Sequence, residues 1–168
     1  PRSTAPGTIS PAGSAEARQA IQMSNSHHIV RSYDEDLENI TNRIVEMGGL
    51  VEAQLSDAID SVTKRDAELG RRTAENDERI DEMEREIDEL VVKLIARRQP
   101  MADDLREMIS ALKIVGILER VGDYAAHVAE RAVTVTQKPT VPPVLVISRM
   151  GKMVRDLLGD ALGSYSQR

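Results

Sequence analysis

The sequence predicts an all-α protein: an antiparallel three-helix bundle plus the first helix of a second repeat. Three observations carry that reading. Apolar residues recur at steps of three and four along most of the chain, the spacing of one face of a helix. Aromatic residues make up 2% of the 168, with no Phe and no Trp, so a sandwich or barrel is disfavoured against helices packed through Leu, Ile, Val, Met and Ala. The strongest breaks, Arg65-Asp66, Gln99-Pro100 and Lys138-Pro139-Thr140-Val141-Pro142-Pro143, fall between periodic segments.

Residues 1–25 are rich in Pro, Ala, Gly, Ser and Thr without periodicity, and the expectation there is disorder. Met23 is the first methionine and a plausible native start, so residues 1–22 read as a tag or extended frame, or as a natural flexible tail. The first helix is expected over 33–64. Ser32 and Glu35 form its capping box, and Leu37, Ile40, Ile44, Met47, Val51, Leu55, Ala58 and Val62 form its apolar stripe. Asp66 then suits the N-cap of a second helix, 67–98, with Ile80, Met83, Ile87, Leu90, Val91 and Leu94 to the core. Gln99-Pro100 ends it, because the residue before proline is pushed out of the α region, and Arg97 and Arg98 suit its C-terminal dipole. A third helix runs from about 102 to 135 with Leu105, Met108, Ile109, Leu112 and Gly116 as its stripe. Residues 28–137 are thus one three-helix unit, 138–143 a linker, and 144–168 a further helix.

That last helix repeats the first. MGGLVEAQLSDAIDSVTKR (47–65) and MGKMVRDLLGDALGSYSQR (150–168) share eight identities in 19 positions at a shift of 103 residues, where about one or two would match by chance. A duplicated unit of three helices follows. The chain stops where the second helix of that second copy would begin, so a truncated two-unit protein is expected, with Met150, Val154, Leu157, Leu158 and Leu162 of the stranded helix exposed.

Composition excludes several functions. The formal net charge is −6, against the basic excess of nucleic-acid binders. The chain holds no cysteine, which removes disulfides, thiolate metal sites and a cysteine nucleophile. No apolar run approaches the roughly 18 residues of a membrane span and no signal peptide is visible, so a cytoplasmic place is expected. No nucleophile–base–acid set and no Gly-rich phosphate loop appears.

What does stand out is a constellation of carboxylates. Glu119 and Asp123 sit four apart and, on an ideal helix, continue the stripe through Leu105, with Gly122 between them. Asp77 and Asp81 form a matching pair beside the second stripe, and Glu84 and Asp88 extend that row. Each pair lies about 20 residues from the Gln-Pro turn, so antiparallel pairing sets four carboxylates across one groove. Like charges so placed call for shared protons or bound cations. An all-oxygen set suits hard cations, Mg²⁺, Mn²⁺ or Fe, with Zn²⁺ also compatible and His127 offering a nitrogen. The bland alternatives are a metal-free coiled-coil scaffold and a carboxylate di-iron bundle. The di-iron bundle needs Glu-x-x-His on two helices, and His127 has Tyr124 three residues before it.

SYDEDL, EMGGLVEAQLSDAI, the Arg65-Asp66 break, NDERIDEMEREID, IARRQPMADDLR, ALKIVGILERVGDYAAHVAER and the later MGKMV resemble the PhoU family over about residues 28–168. The resemblance implies two three-helix repeats, each with (E/D)xxxD on two helices. Asp77 and Asp81 match the first of these motifs, Glu119 and Asp123 the second. It implies a metal cluster, iron or zinc, there. It implies a non-enzymatic role in phosphate-starvation signalling, linking the ATPase of a phosphate ABC transporter to a sensor histidine kinase, peripheral to the membrane through those partners, and a homodimer. His127 stands where the family more often has Asn. Glu84 is a further candidate ligand.

Overall fold

The structure, a computed structural model, describes the backbone of residues 11–139 and 144–167 and the side chains of residues 33–139 and 146–167. Every regular element among them is a helix: α1 (Pro11–Thr63), α2 (Ala67–Glu75), α3 (Asp77–Arg98), α4 (Asp103–Thr136) and α5 (Val144–Ser166). The chain divides into two compact units, 1–38 and 39–168, and the second holds the core and the sites described below. No helix among the described residues is long and apolar enough to cross a membrane.

Two boundaries differ from expectation. Of residues 1–25, expected to be disordered, 1–10 lie outside the described residues and 11–25 are helical. Ala15-Glu16-Ala17-Arg18-Gln19-Ala20 is a run of strong helix formers behind Pro11 at the first helical position, a local preference that composition conceals. Ser32 therefore lies inside α1 and not at its start. The helix expected over 67–98 is interrupted at Asn76, which closes α2 and precedes α3. Asn competes with the helical backbone through its own side chain, and Arg79 N–H donates to the Asn76 carbonyl at 3.2 Å, a tighter turn than the α-helical one.

Other punctuation follows the sequence. Asp66 accepts hydrogen bonds from the N–H groups of Glu68 (3.0 Å) and Leu69 (2.9 Å), an N-cap as its type predicts. Gln99 ends α3 with φ 48°, and a left-handed residue there is a common helix terminus. Arg65, with φ 56°, donates through Nη2 to the carbonyls of Val135, Thr136 and Lys138. It satisfies the orphan acceptors at the end of α4 and ties the α1–α2 turn to it.

The core is aliphatic. Ile40, Ile44, Met47, Val51 and Ala58 of α1 meet Ile80, Met83, Ile87, Val91 and Leu94 of α3, and Met108, Ala111, Val115, Leu118, Ala125, Ala129 and Ala132 of α4. On α4 the buried face keeps Met108 of the expected stripe and otherwise lies beside it. Leu105 and Ile109 are 37% and 40% exposed, while the buried row runs through Ala111, Val115, Leu118, Gly122 and Ala125. The small residues of the second half let α2 approach closely. A Cβ added to Gly70 on α2 would sit 2.8 Å from the Ala129 carbonyl oxygen.

α5 packs antiparallel on α1 through two glycines. A Cβ on Gly48 would meet Leu162 at 2.5 Å, and one on Gly151 would overlap Ile59. At the 103-residue repeat shift, Gly48 corresponds to Gly151 and Ile59 to Leu162, so the two contacts are one contact with the copies exchanged. That is a local two-fold relation. Met150, Val154 and Leu157 are exposed on α5 as expected, whereas Leu158 and Leu162 are half-buried.

Candidate metal centre

Asp77 is the first residue of α3 and Asp81 lies one turn on. The turn at Gln99–Ala102 brings α4 back alongside, and Gly122 on α4 faces Ile80 closely enough that a Cβ there would sit 3.0 Å from Ile80 Cδ1 and 3.5 Å from Asp77 Oδ1. Glycine at 122 therefore sets the depth at which the two helices meet. At that height one carboxylate oxygen from each of Asp77, Asp81 and Asp123 lies within 4.8 Å of the others, and all three residues are half-buried. Two ligands on opposite sides of a hard cation stand about 4–5 Å apart, so this donor set fits such an ion.

Glu119 and Glu84 stand outside that triad but within its field. Because the buried face of α4 passes through Leu118 and Gly122, Glu119 and Asp123 border the apolar row instead of continuing it, and are half-buried. His127 is exposed and is not grouped with the triad.

One contributor is missing from the sequence reading. Gln54, on α1, is buried. Its Nε2 donates to Asp77 Oδ1 at 2.8 Å and to the Gly122 carbonyl at 3.1 Å, which ties all three helices at the carboxylates and fixes one Asp77 oxygen. The signal was present: Gln54 sits three after Val51 and four before Ala58, so an amide occupies a core position of the α1 stripe.

The electrostatics are those of crowded acids. Burial raises the Asp77 carboxyl, the Gln54 hydrogen bond works against it, and the charges of Asp123 and Asp81 raise it further. Burial raises Glu119, with Asp123, Asp81 and Asp77 adding to it. Glu84 is raised by burial and then by Glu119, Asp88, Asp81 and Asp123, and Asp88 by burial. A carboxyl with a folded-state pKa above its unfolded value favours folding most at low pH, and loses that contribution as pH rises through the raised value. In chelator, lowering the pH from neutrality toward the ordinary carboxylate range should therefore raise the contribution of these groups to stability. Asp77→Asn should melt higher than the parent at neutral pH, with the gap closing as pH falls. A constant gap in calorimetric melts across that range refutes the assignment.

Comparison with known proteins gives the family. A family profile described as PhoU domain matches residues 44–132. The chain belongs to the PhoU family. A phosphate-specific transport system accessory protein PhoU homolog from Xylella fastidiosa is 40% identical over 148 residues, 88% of this chain and 61% of that one. A Caulobacter vibrioides homolog of the same description is 41% identical over 142 residues, 84% and 62% of the two chains. The crystal structure of PhoU from Pseudomonas aeruginosa superposes with a TM-score of 0.77 at 38% identity, covering 80% of this chain and 65% of that one. This PhoU chain thus spans about three fifths of the length of the curated relatives it matches.

Proposed function

We propose that this PhoU-family chain is a non-enzymatic accessory of phosphate uptake and phosphate-starvation signalling. In this reading it docks at the cytoplasmic side on the ATPase of a phosphate ABC transporter and on a sensor histidine kinase, works as a homodimer, and carries a cation site on the α3–α4 face. Residues 28–137 form one repeat, 138–143 a linker, and α5 opens a second repeat.

The observation that carries the site is the convergence of Asp77, Asp81 and Asp123 within 4.8 Å behind a buried Gln54 that pins Asp77. Three carboxylates so close repel one another unless neutralised. An all-oxygen set takes hard cations, Fe, Mn or Mg, and tolerates Zn. Glu119, Glu84 and His127 are positions from which further ligands could reach a second ion. Bound cations supply charge neutralisation: the acidic face becomes rigid and less repellent to a partner, and its state follows metal supply.

Purified protein should contain metal by elemental analysis, and Asp81→Ala and Asp123→Ala should each lower the content at least severalfold with the helical content unchanged. Equal metal content in the parent and both variants leaves the metal-free scaffold as the correct reading.

A further inference from the structure

A second polar feature lies where α5 packs on α1. A cavity of about 270 Å³ opens there, and its walls carry Arg149, Lys152 and Arg155 from α5 with Ser56 and Asp60 from α1 and Ser148 from α5. Three cations converge on one hollow of a chain whose net charge is −6. The acid among them, Asp60, is matched by Lys64 at 2.9 Å, so the cavity keeps a net positive charge.

Arg155 is held in place and incompletely used. One Nη donates to Ser56 Oγ at 2.8 Å, while its Nε is buried and has no hydrogen-bond partner. A guanidinium is a multiple N–H donor, and the single bond to Ser56 leaves its other Nη hydrogens for an anion seated in the cavity that Arg155 lines. Nor is the basic character inherited from the repeat. At the 103-residue shift, Arg149, Lys152 and Arg155 correspond to Glu46, Gly49 and Glu52, so the equivalent hollow across the local two-fold carries acids or nothing.

We propose that this pocket binds free orthophosphate. The cations supply charge-assisted hydrogen bonds to the oxyanion, and the serines supply neutral ones. Asp60 distinguishes among anions. A carboxylate accepts but cannot donate, so it is compatible with the P–OH of hydrogen phosphate and repels sulfate or a phosphomonoester dianion, which present no proton. At about 270 Å³ the pocket is below the usual range for drug-sized ligands and suits a small anion with water. Gly151 makes the site possible, since any side chain there would drive α5 away from Ile59.

The inference does not rest on the metal centre, and its test removes that centre. Calorimetric titration of the full chain in excess chelator, repeated in Asp81→Ala, should show saturable phosphate binding with a dissociation constant below about 1 mM. Sulfate and glycerol 3-phosphate should bind at least tenfold more weakly. Arg149 and Lys152 are exposed, so Arg149→Ala/Lys152→Ala keeps the fold and should weaken phosphate at least tenfold. Arg155→Ala should abolish binding, with circular dichroism showing that α5 is retained. No saturable binding, binding unchanged in the double variant, or sulfate bound as well as phosphate each overturns the assignment.

Discussion

Ile87→Ala should lower the free energy of unfolding by about 2–5 kcal/mol. Ile87 has no exposed surface and sits in the middle of the α3 row between Met83 and Val91. The loss combines the transfer energy of the deleted carbons with the cavity left behind, and the size of the second part depends on whether neighbours can move in. Here the surrounding core consists of branched aliphatics and alanines on three helices, with no Phe or Trp to swing into the gap. Met47, Met83 and Met108 are the flexible members and can fill part of it, which pulls the value toward the middle of the range. Urea denaturation with an unchanged slope measures it. Ile117→Ala, at a position 61% exposed, should stay within about 0.5 kcal/mol. A loss at Ile87 below 1 kcal/mol, or equal losses at both positions, contradicts the packing described.

The contrast between those two isoleucines also shows where the sequence was legible. On α1 and α3 the apolar stripe is narrow and its charged flanks are dense, so periodicity singles out one face, and Ile44, Met47, Val51, Ile80, Ile87 and Val91 are buried as that spacing requires. On α4 apolar residues occur on several sides, and periodicity cannot choose among them. The large residues Leu105 and Ile109 suggested one face. The face that packs runs through Met108, Val115 and Leu118 and continues in its second half through Gly122 and alanines, because closely approaching helices need small residues, which carry little hydropathic signal. Equal distances from a tight turn set the two acid pairs at similar height, and Asp77, Asp81 and Asp123 have carboxylate oxygens within 4.8 Å of one another, while Glu119 and Asp123 border the α4 apolar row because that row lies beside the expected stripe. Gln54 escaped because a polar residue in a stripe is read as an interruption, although its two hydrogen bonds make it part of the core.

Gly122→Val should disrupt the bundle and the cation site together, at a cost of about 3 kcal/mol, the upper part of the range for overpacking. The first atom of any side chain at 122 would already lie 3.0 Å and 3.3 Å from two carbons of Ile80 and 3.5 Å from Asp77 Oδ1, and valine adds two methyl groups beyond that point. Ile80 is itself buried, so its side chain has little room to turn aside and the added methyl groups push against α3. A displaced α3 carries Asp77 and Asp81 away from Asp123 and draws Asp77 off the Gln54 amide. Gly49 provides the control, because a Cβ there meets nothing within 4 Å. Gly49→Val should be neutral or slightly stabilising through helix propensity, with metal content intact. Propensity acts in the same direction at both sites, so a deficit at 122 against a gain at 49 isolates the steric term. If Gly122→Val matches the parent in both melting temperature and metal content, the two helices do not meet where the carboxylates converge, and Asp77, Asp81 and Asp123 cannot share an ion.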